Sequence, residues 1–336
     1  MTDFRSDTVT RPSDAMRAAM AAAVVGDDVL DGDPTVRRLE ERAATWLGKQ
    51  GALFVPSGTM ANQIAAGAWT RPGDEVIVEE SAHVLHHEGG GLAASHGLRV
   101  ATLPSERGAM DSAAVQARIG ADTTLVFVEQ THLESGGRVV PLENLRAVHA
   151  VARERGVHVH LDGARLPNAV AASGVAASAW AACADSVSVC LSKGLGAPVG
   201  SLIAGDREFL ERARAVRQRL GGGMRQSGVI AAAGLVALEQ NLDRLEEDHR
   251  LAKDLAERLH ALPGLSCPPA EVETNIVFVA VDHPELDAEA LGQRLAERGV
   301  RIMPWTARCL RCVTHLDVGL ADVEHLEAEL RAILLA

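Results

Sequence analysis

Three short stretches of this chain combine residue types that can do chemistry. Of its 33 basic residues only Lys49, Lys193 and Lys253 are lysines. Lys193 stands in Ser186-Val-Ser-Val-Cys-Leu-Ser-Lys-Gly-Leu-Gly196, between an apolar run and a glycine-rich turn. Arginine keeps its charge almost anywhere, whereas a lysine short of water can lose its proton and become a nucleophile. Asp162 closes His158-Val-His-Leu-Asp162. Read as a strand, this run puts both histidines and the carboxylate on one face, and a carboxylate at a buried strand end needs a positive or hydrogen-bonding partner. In Pro56-Ser57-Gly58-Thr59 a glycine opens a helix directly after an apolar run. Backbone N–H groups and a hydroxyl then face outward, a seat for an anion such as phosphate. Each stretch alone also has a plainer reading: a capped turn, an aspartate paired with Arg165 or a backbone N–H, a lysine whose head reaches solvent.

The elements around these residues decide between the readings. Short β-branched runs at Leu53–Val55, Glu75–Val78, Arg99–Leu103, Leu125–Glu129, Val157–Leu161, Ser186–Cys190 and Gly200–Ala204 alternate with helical stretches. One helix starts at Asp33-Pro34-Thr35, with aspartate as N-cap and proline in the first turn, carries an apolar stripe of Val36, Leu39, Ala43 and Trp46, and stops at Gly48. Another runs Leu142–Arg155 and ends at Gly156. This alternation predicts an α/β fold, a mostly parallel sheet flanked by helices. From Gln226 to Leu262 the periodicity is helical with a break inside it. Beyond it, strands at Thr274–Val281, Arg301–Pro304 and Cys312–Val318 and helices at Leu286–Arg298 and Asp322–Leu335 predict a smaller C-terminal α+β domain. The expected division is 1–240, an arm plus the large domain, and 241–336.

Ligands of an open α/β sheet sit beyond the carboxyl ends of its strands. The anion seat, Asp162 and Lys193 each follow a strand there. Together they suit a ligand with a phosphate, a ring nitrogen to be kept protonated and an aldehyde to be held as an imine. Pyridoxal 5'-phosphate is that ligand, and a lysine Schiff base with an aspartate at the pyridine nitrogen is its recurring arrangement. A dinucleotide site would need Gly-x-Gly-x-x-Gly between strand and helix; Gly194-Leu-Gly196 leads into a strand and lacks the third glycine.

Composition narrows the function classes. The net charge of −12 argues against a nucleic-acid partner and against an anionic membrane surface. The polar start MTDFRSDTVT predicts no secretory signal, and no apolar stretch is long enough for a bilayer span. Five cysteines, an odd number, predict no disulfide framework and a cytoplasmic location. Cys309, Cys312 and His315 look like half a metal site, but no second pair stands nearby, and strand alternation would turn Cys312 and His315 apart. No metal is expected.

Several longer stretches carry a resemblance: Phe4-Arg-Ser-Asp-Thr-Val-Thr10, Val25-Gly-Asp-Asp28, Ser57-Gly-Thr59, His160-Leu-Asp-Gly-Ala-Arg165, Leu191-Ser-Lys-Gly-Leu-Gly196, Gly221-Gly-Gly-Met-Arg-Gln-Ser-Gly228 and Val313-Thr-His-Leu-Asp317. In these the chain resembles, nearly end to end, the low-specificity and allo-specific L-threonine aldolases, pyridoxal-phosphate enzymes of fold type I (aspartate aminotransferase-like). The resemblance implies retro-aldol cleavage of L-threonine, L-allo-threonine or related β-hydroxy-α-amino acids to glycine and an aldehyde. It leaves a transaldolase, β-eliminating lyase or racemase reaction as the alternative. It implies that Lys193 holds the cofactor, Asp162 partners the ring nitrogen, Gly58 and Thr59 contact the phosphate, and His83 stacks on the ring. His132 is then the first choice for the base at the substrate hydroxyl and His83 the second. Ser6, Arg165 and Arg311 clamp the substrate carboxylate. Arg165 also adjoins the cofactor-binding set, and Arg225 lies near the phosphate, from the same or a neighbouring subunit. A homodimer or homotetramer with active sites at a subunit interface is implied as well. The chain departs from the family where Val29-Leu-Asp31 replaces the common Val-Tyr-Gly, where Gln130 and Leu133 flank Thr131-His132, and where His86, His87 and Glu88 follow His83. It has no tyrosine at all.

Overall fold

The computed structural model describes residues 1–335. The chain forms two compact units, Pro12–Leu242 and Met1–Arg11 with the chain from Asp243 onward.

The large unit is built on a seven-stranded sheet. Its strands are β1 (Gly51–Val55), β2 (Glu75–Glu79), β3 (Arg99–Leu103), β4 (Thr123–Glu129), β5 (His158–Asp162), β6 (Ser186–Cys190) and β7 (Ser201–Gly205). Their order across the sheet is β1-β7-β6-β5-β4-β2-β3. Strand β7 runs antiparallel to β1 and β6, and every other pairing is parallel. Val76, Val78, Leu125, Val159, Leu161, Val187 and Val189 are buried, as strands covered on both faces require. All seven strands expected from the sequence form, Arg99–Leu103 and Ser186–Cys190 with the expected ends and the other five with ends shifted by one or two residues.

Local chemistry sets the helix ends. The Asp33 carboxylate accepts the N–H groups of Thr35 and Val36 at 2.9 and 3.1 Å, and Gly48 stops the helix Pro34–Leu47 in the left-handed region at φ 63°. The buried stripe is Val36, Leu39, Glu40, Ala43 and Leu47. The helical period carries the last contact to Leu47, leaving Trp46 half-buried. The long helical stretch is broken, as expected, into Gly228–Gln240 and Leu245–His260. Among the described residues no helix is long and apolar enough to cross a membrane, and all five cysteines are free thiols.

The small unit holds an antiparallel four-stranded sheet, in the order Leu265–Ser266, Ile276–Val281, Cys309–Val313, Met303–Thr306. Helices Leu245–His260, Ala288–Glu297 and Leu320–Leu334 bury Leu255, Leu259, Leu291, Leu295, Leu326 and Leu330 in its core. Two expectations change here. Residues 1–11 belong to this unit, because Thr2–Asp3 pairs in parallel with Val300–Arg301 and Phe4 is fully buried in its core. The strand expected at Cys312–Val318 lies instead at Cys309–Val313. Past Val313 the backbone leaves the ladder: Val313 N–H donates to the Phe4 carbonyl, Thr314 N–H to that of Asn275, and the Thr314 hydroxyl to that of Asp248. Cys309, Cys312 and His315 also go separate ways. Cys312 is buried in the core, Cys309 is half-buried, and His315 Nε2 meets the Asp3 carbonyl at 2.7 Å.

Candidate active site

Because six strands of the large sheet share one sense, the residues that follow β1, β2, β4, β5 and β6 emerge at one edge. That edge gathers Gly58 and Thr59, His83, His132, Asp162 and Lys193; strand positions in the sequence pointed there for Gly58, Thr59, Asp162 and Lys193, and the resemblance alone for the two histidines.

After β1, the Ser57 hydroxyl accepts the N–H of Met60 at 3.1 Å and the Ser57 carbonyl that of Ala61. Gly58 and Thr59 head the helix Gly58–Trp69 at its positive end. Gly58 is required by close packing: a Cβ there would lie 2.6 Å from Cys190 Sγ at the end of β6.

Asp162, at the end of β5, is 5% exposed. Its Oδ1 accepts the N–H of Ala164 at 3.0 Å, and its Oδ2 accepts the side-chain amide of Asn62 at 2.7 Å. Burial disfavours its charge, but His83, Lys193 and the Asn62 amide together outweigh that and hold its pKa below the ordinary carboxylate value. Its histidine neighbours share its face, as alternation predicted. His158 stacks on Trp69 at 3.8 Å between ring centroids, and His160 reaches Asn62 Oδ1 at 3.1 Å. Burial lowers the pKa of His160 to about 4, so it is neutral at pH 7.

Lys193 follows β6 and is half-buried. Lys253 is exposed. Lys49 is not, although its place past a helix end suggested a solvated head. Its Nζ donates to the Ala184 carbonyl at 2.6 Å, and burial lowers its pKa. Desolvation therefore does not single out Lys193; its place beside Asp162 does.

The two histidines differ sharply. The His83 side chain is 25% exposed, with Nδ1 3.2 Å from Glu88 Oε1. Its backbone N–H donates to Glu129 at 2.8 Å. Burial opposes a charge on His83, yet Glu88, Asp162 and Glu129 raise its pKa above the ordinary histidine value. His132 is 2% exposed, and both ring nitrogens are engaged, Nε2 with Glu79 at 3.0 Å and Nδ1 with the Ser135 hydroxyl at 2.9 Å. Glu79 would be raised by burial, but His132, Ser105 and Ser81 bond to it and hold it low; the pKa of His132 is raised in turn. His86 and His87 engage the Glu80 carbonyl and Glu134.

Sequence reasoning missed Glu79, Glu129 and Asn62, and marked Glu88 only as part of the polar cluster that follows His83. Glu79 and Glu129 end β2 and β4; Glu129 is in direct register with Asp162 on the neighbouring strand, and Glu79 lies one strand further on. Burial pushes Glu129 up. Glu88 and Asn62 are buried against His83 and Asp162. The signal available for Glu79 and Glu129 was their position at a strand end, and for Asn62 its place on the first turns of the site helix.

The remaining candidates lie as follows. Arg165 is buried and caps the helix Leu166–Ser173. Arg225 is mostly exposed and faces Asp27 at 3.4 Å. In the small unit Ser6 and Arg311 come together: Arg311 donates to the Arg5 carbonyl at 3.0 Å and lies over the Trp305 ring, while the Ser6 hydroxyl accepts the Thr8 N–H at 3.2 Å.

The large unit's residues fit pyridoxal phosphate. A primary amine, a buried carboxylate held in its charged form, a histidine within 4.8 Å of that carboxylate and a helix N-terminus for a phosphate occupy one sheet edge.

Comparison with known proteins agrees with this chemistry. The beta-eliminating lyase family pattern matches residues 3–282. Low-specificity L-threonine aldolase 1 of Arabidopsis thaliana is 46% identical, over 96% of this chain and 93% of its own. The low specificity L-threonine aldolase of Escherichia coli is 42% identical over 99% of both. The threonine aldolase of Leishmania major, 20% identical, shares the fold with a TM-score of 0.83 over 99% of this chain and all of its own. The chain belongs to the beta-eliminating lyase family and, within it, to the threonine aldolases, lyases built on fold type I.

Proposed function

We propose that this chain cleaves β-hydroxy-α-amino acids of the L-threonine and L-allo-threonine class to glycine and an aldehyde, with pyridoxal 5'-phosphate held by Lys193. The observation that carries this reading is the convergence of Lys193, Asp162 and His83 on one sheet edge beside the Gly58–Thr59 helix start. When bound, pyridoxal phosphate supplies a sink for the electron pair released as the Cα–Cβ bond breaks.

The chain's own residues supply the rest. Asp162, ionised and buried, stabilises a proton on the ring nitrogen. Gly58 and Thr59 seat the phosphate through backbone N–H groups and a hydroxyl. Ser6, Arg165 and Arg311 hold the substrate carboxylate, and Arg225 serves the phosphate, in its own or a neighbouring subunit. His83 takes the β-hydroxyl proton, reversing the order expected from sequence. What supports His83 over His132 is access: His83 is partly exposed with one ring nitrogen on Glu88, whereas both nitrogens of the buried His132 are engaged. His132 then braces Glu79, and through it the turn after β2 that carries Ser81.

The protein is read as a cytoplasmic homo-oligomer with sites at a subunit interface. Exposed Val24, Val25, Val29 and Leu30, around the Gly26-Asp27-Asp28 motif, and free thiols support that reading. The test is an aldehyde-trapping assay on L-threonine, L-allo-threonine, L-serine and L-alanine with the cofactor-loaded protein. Aldehyde and glycine in equal amounts from the β-hydroxy amino acids are expected. Pyruvate and ammonia from serine, or racemisation of alanine, without aldehyde would overturn the assignment in favour of another reaction.

A further inference from the structure

Buried side chains beside the proposed base form a hydrogen-bond network that fixes where the protons sit. Asn62 has its Nδ2 at 2.7 Å from both Glu88 Oε1 and Asp162 Oδ2. Carboxylate oxygens accept, so both amide protons are used there. The amide oxygen accordingly faces His160 Nε2 at 3.1 Å and the Ser188 hydroxyl at 3.3 Å, and both donate. With its proton on Nε2, His160 must accept at Nδ1 from the Ser186 hydroxyl, 2.9 Å away. Ser186 accepts in turn from Trp69 Nε1–H at 2.9 Å. The chain of donors thus runs one way, from Trp69 through Ser186 and His160 to Asn62, and ends on the two carboxylates. Neutral His160 is the form this direction requires.

At the other end Glu88 accepts from Asn62 and His83 on Oε1 and from Gln63 Nε2, at 3.0 Å, on Oε2. A carboxylate that only accepts requires His83 to carry its neutral-state proton on Nδ1. Its Nε2 is then the nitrogen that can take a proton.

We propose that Glu88 and Asn62 are positioning residues for the acid–base histidine: Asn62 pins the carboxylates of Glu88 and Asp162 in place, and Glu88 fixes the tautomer and orientation of His83 so that Nε2 accepts the substrate proton. On transfer, the proton of the β-hydroxyl moves to Nε2, the imidazolium keeps its Nδ1–H on Glu88, and Glu88 stays a carboxylate. The groups facing His83 are Glu88 itself, Asp162 at the end of β5, Glu129 at the end of β4, Lys193 after β6 and His87 on its own turn. Three carboxylates against one ammonium favour a base that holds its proton more firmly than an isolated histidine. The proposal deepens the reading of His83 as the base and rests on it.

The test uses 15N-histidine NMR on the full-length, cofactor-free protein, with kcat and KM against pH for the loaded enzyme. In the parent protein His83 is expected as the Nδ1–H tautomer, titrating above the ordinary histidine value. In Glu88→Gln the side-chain amide can donate to Nδ1. The proton should then shift to Nε2, the titration and the acid limb of kcat/KM should move to lower pH, and kcat should drop at least tenfold with little change in KM. Asn62→Leu leaves two carboxylates facing each other without the shared donor. Losing that donor should disorder the Glu88 carboxylate, and the His83 titration should move down as well. Glu88→Asp, which keeps the charge, should keep the elevated titration. Asp122→Asn, at an exposed ion pair with Arg99, should move none of these.

An Nε2–H tautomer of His83 in the parent protein overturns the proposal without any variant, so a variant that fails to fold does not protect it. An unchanged tautomer and titration in Glu88→Gln also overturns it. Failure of the parent enzyme to cleave β-hydroxy amino acids would remove the underlying reading instead. The two failures are distinct, because the NMR measurement needs no turnover.

Discussion

Gly58→Ala probes the helix start that the proposed phosphate seat depends on. The added Cβ would lie 2.6 Å from Cys190 Sγ. That is about 1 Å inside an ordinary carbon–sulfur contact, on the scale of the 3.5–4.0 Å spacing at which nonbonded carbons attract. Cys190 cannot easily yield. It is buried in β6, directly opposite Ser201 of β7, whose hydroxyl donates to its sulfur at 3.3 Å. Overpacking of this kind costs about 1–3 kcal/mol, while alanine gains about 0.4–1 kcal/mol by restricting the unfolded chain. A net loss of up to about 2.6 kcal/mol lowers Tm by up to about 10 °C for a unit of this size. If the helix start backs away from Cys190 instead, the loss appears in cofactor binding, where about 1.4 kcal/mol is tenfold in Kd. The assay is thermal unfolding of the cofactor-free protein together with a pyridoxal phosphate titration. Both are run for Gly58→Ala, Cys190→Ala and the pair. Removing Cys190 Sγ should relieve the alanine, giving a coupling of about 0.5 kcal/mol or more, in stability or in binding. Strict additivity in both measurements would refute the reasoning, as would a Gly58→Ala protein of parental Tm and parental Kd.

Lys193→Ala should abolish the visible absorbance of bound pyridoxal phosphate, while Lys49→Ala keeps it although Lys49 is also desolvated; a borohydride-reducible imine in Lys193→Ala would count against Lys193. His132→Asn should remove the partner of buried Glu79 and cost about 3–5 kcal/mol, the scale for breaking a buried ion pair. Among molecules that remain folded, however, it should reduce kcat/KM less than His83→Asn does, and the reverse ranking would restore His132 as the base. Asp185 is opposed by burial, but His149, His158 and the Val159 N–H hold its pKa well below the ordinary value of 3.8. A depressed folded-state pKa means stability present in full above that value and lost as pH falls below it. Asp185→Asn should therefore be less stable at pH 7 and lose less on acidification below about pH 4, seen by denaturant titration at each pH. Arg311→Ala should raise KM for L-threonine with the cofactor spectrum unchanged; equal binding of amino alcohols lacking the carboxylate would argue against that role.

The parts of the site that were legible in sequence are those where residue type and local position act together. A rare lysine after an apolar run, an aspartate closing an alternating strand and a glycine opening a helix each carry their meaning within a few residues. Glu79, Glu88, Glu129 and Asn62 do not. Glu129 matters because β4 lies next to β5 and brings its end beside Asp162, Glu79 because β2 on the far side of β4 carries it to His132, and Asn62 because one turn into its helix it faces β5. Sheet order is a long-range property that strand periodicity does not contain. His132 shows the same gap in reverse. Its motif marks the right edge, but only its bonds to Glu79 and Ser135 reveal a ring already engaged on both nitrogens. The strand expected at Cys312–Val318 was misplaced for a similar reason, because alternation continues after Val313 while the backbone N–H of that residue turns to Phe4 from the other end of the chain.

That last contact bears on how the protein is made. Residues 12–242 are contiguous and can collapse as soon as they have left the ribosome, as units of multidomain chains generally do. The small unit has no such option, because Thr2–Asp3 must wait for Val300–Arg301 and Phe4 for the core that encloses it. Residues 2–4 are made long before their partners and are thus among the last to find their place, with an aromatic side chain unprotected in the interval. Loop-closure entropy grows only slowly with the intervening length, so the delay costs little stability. What it creates is a window during translation in which the nascent arm is open to proteases and chaperones.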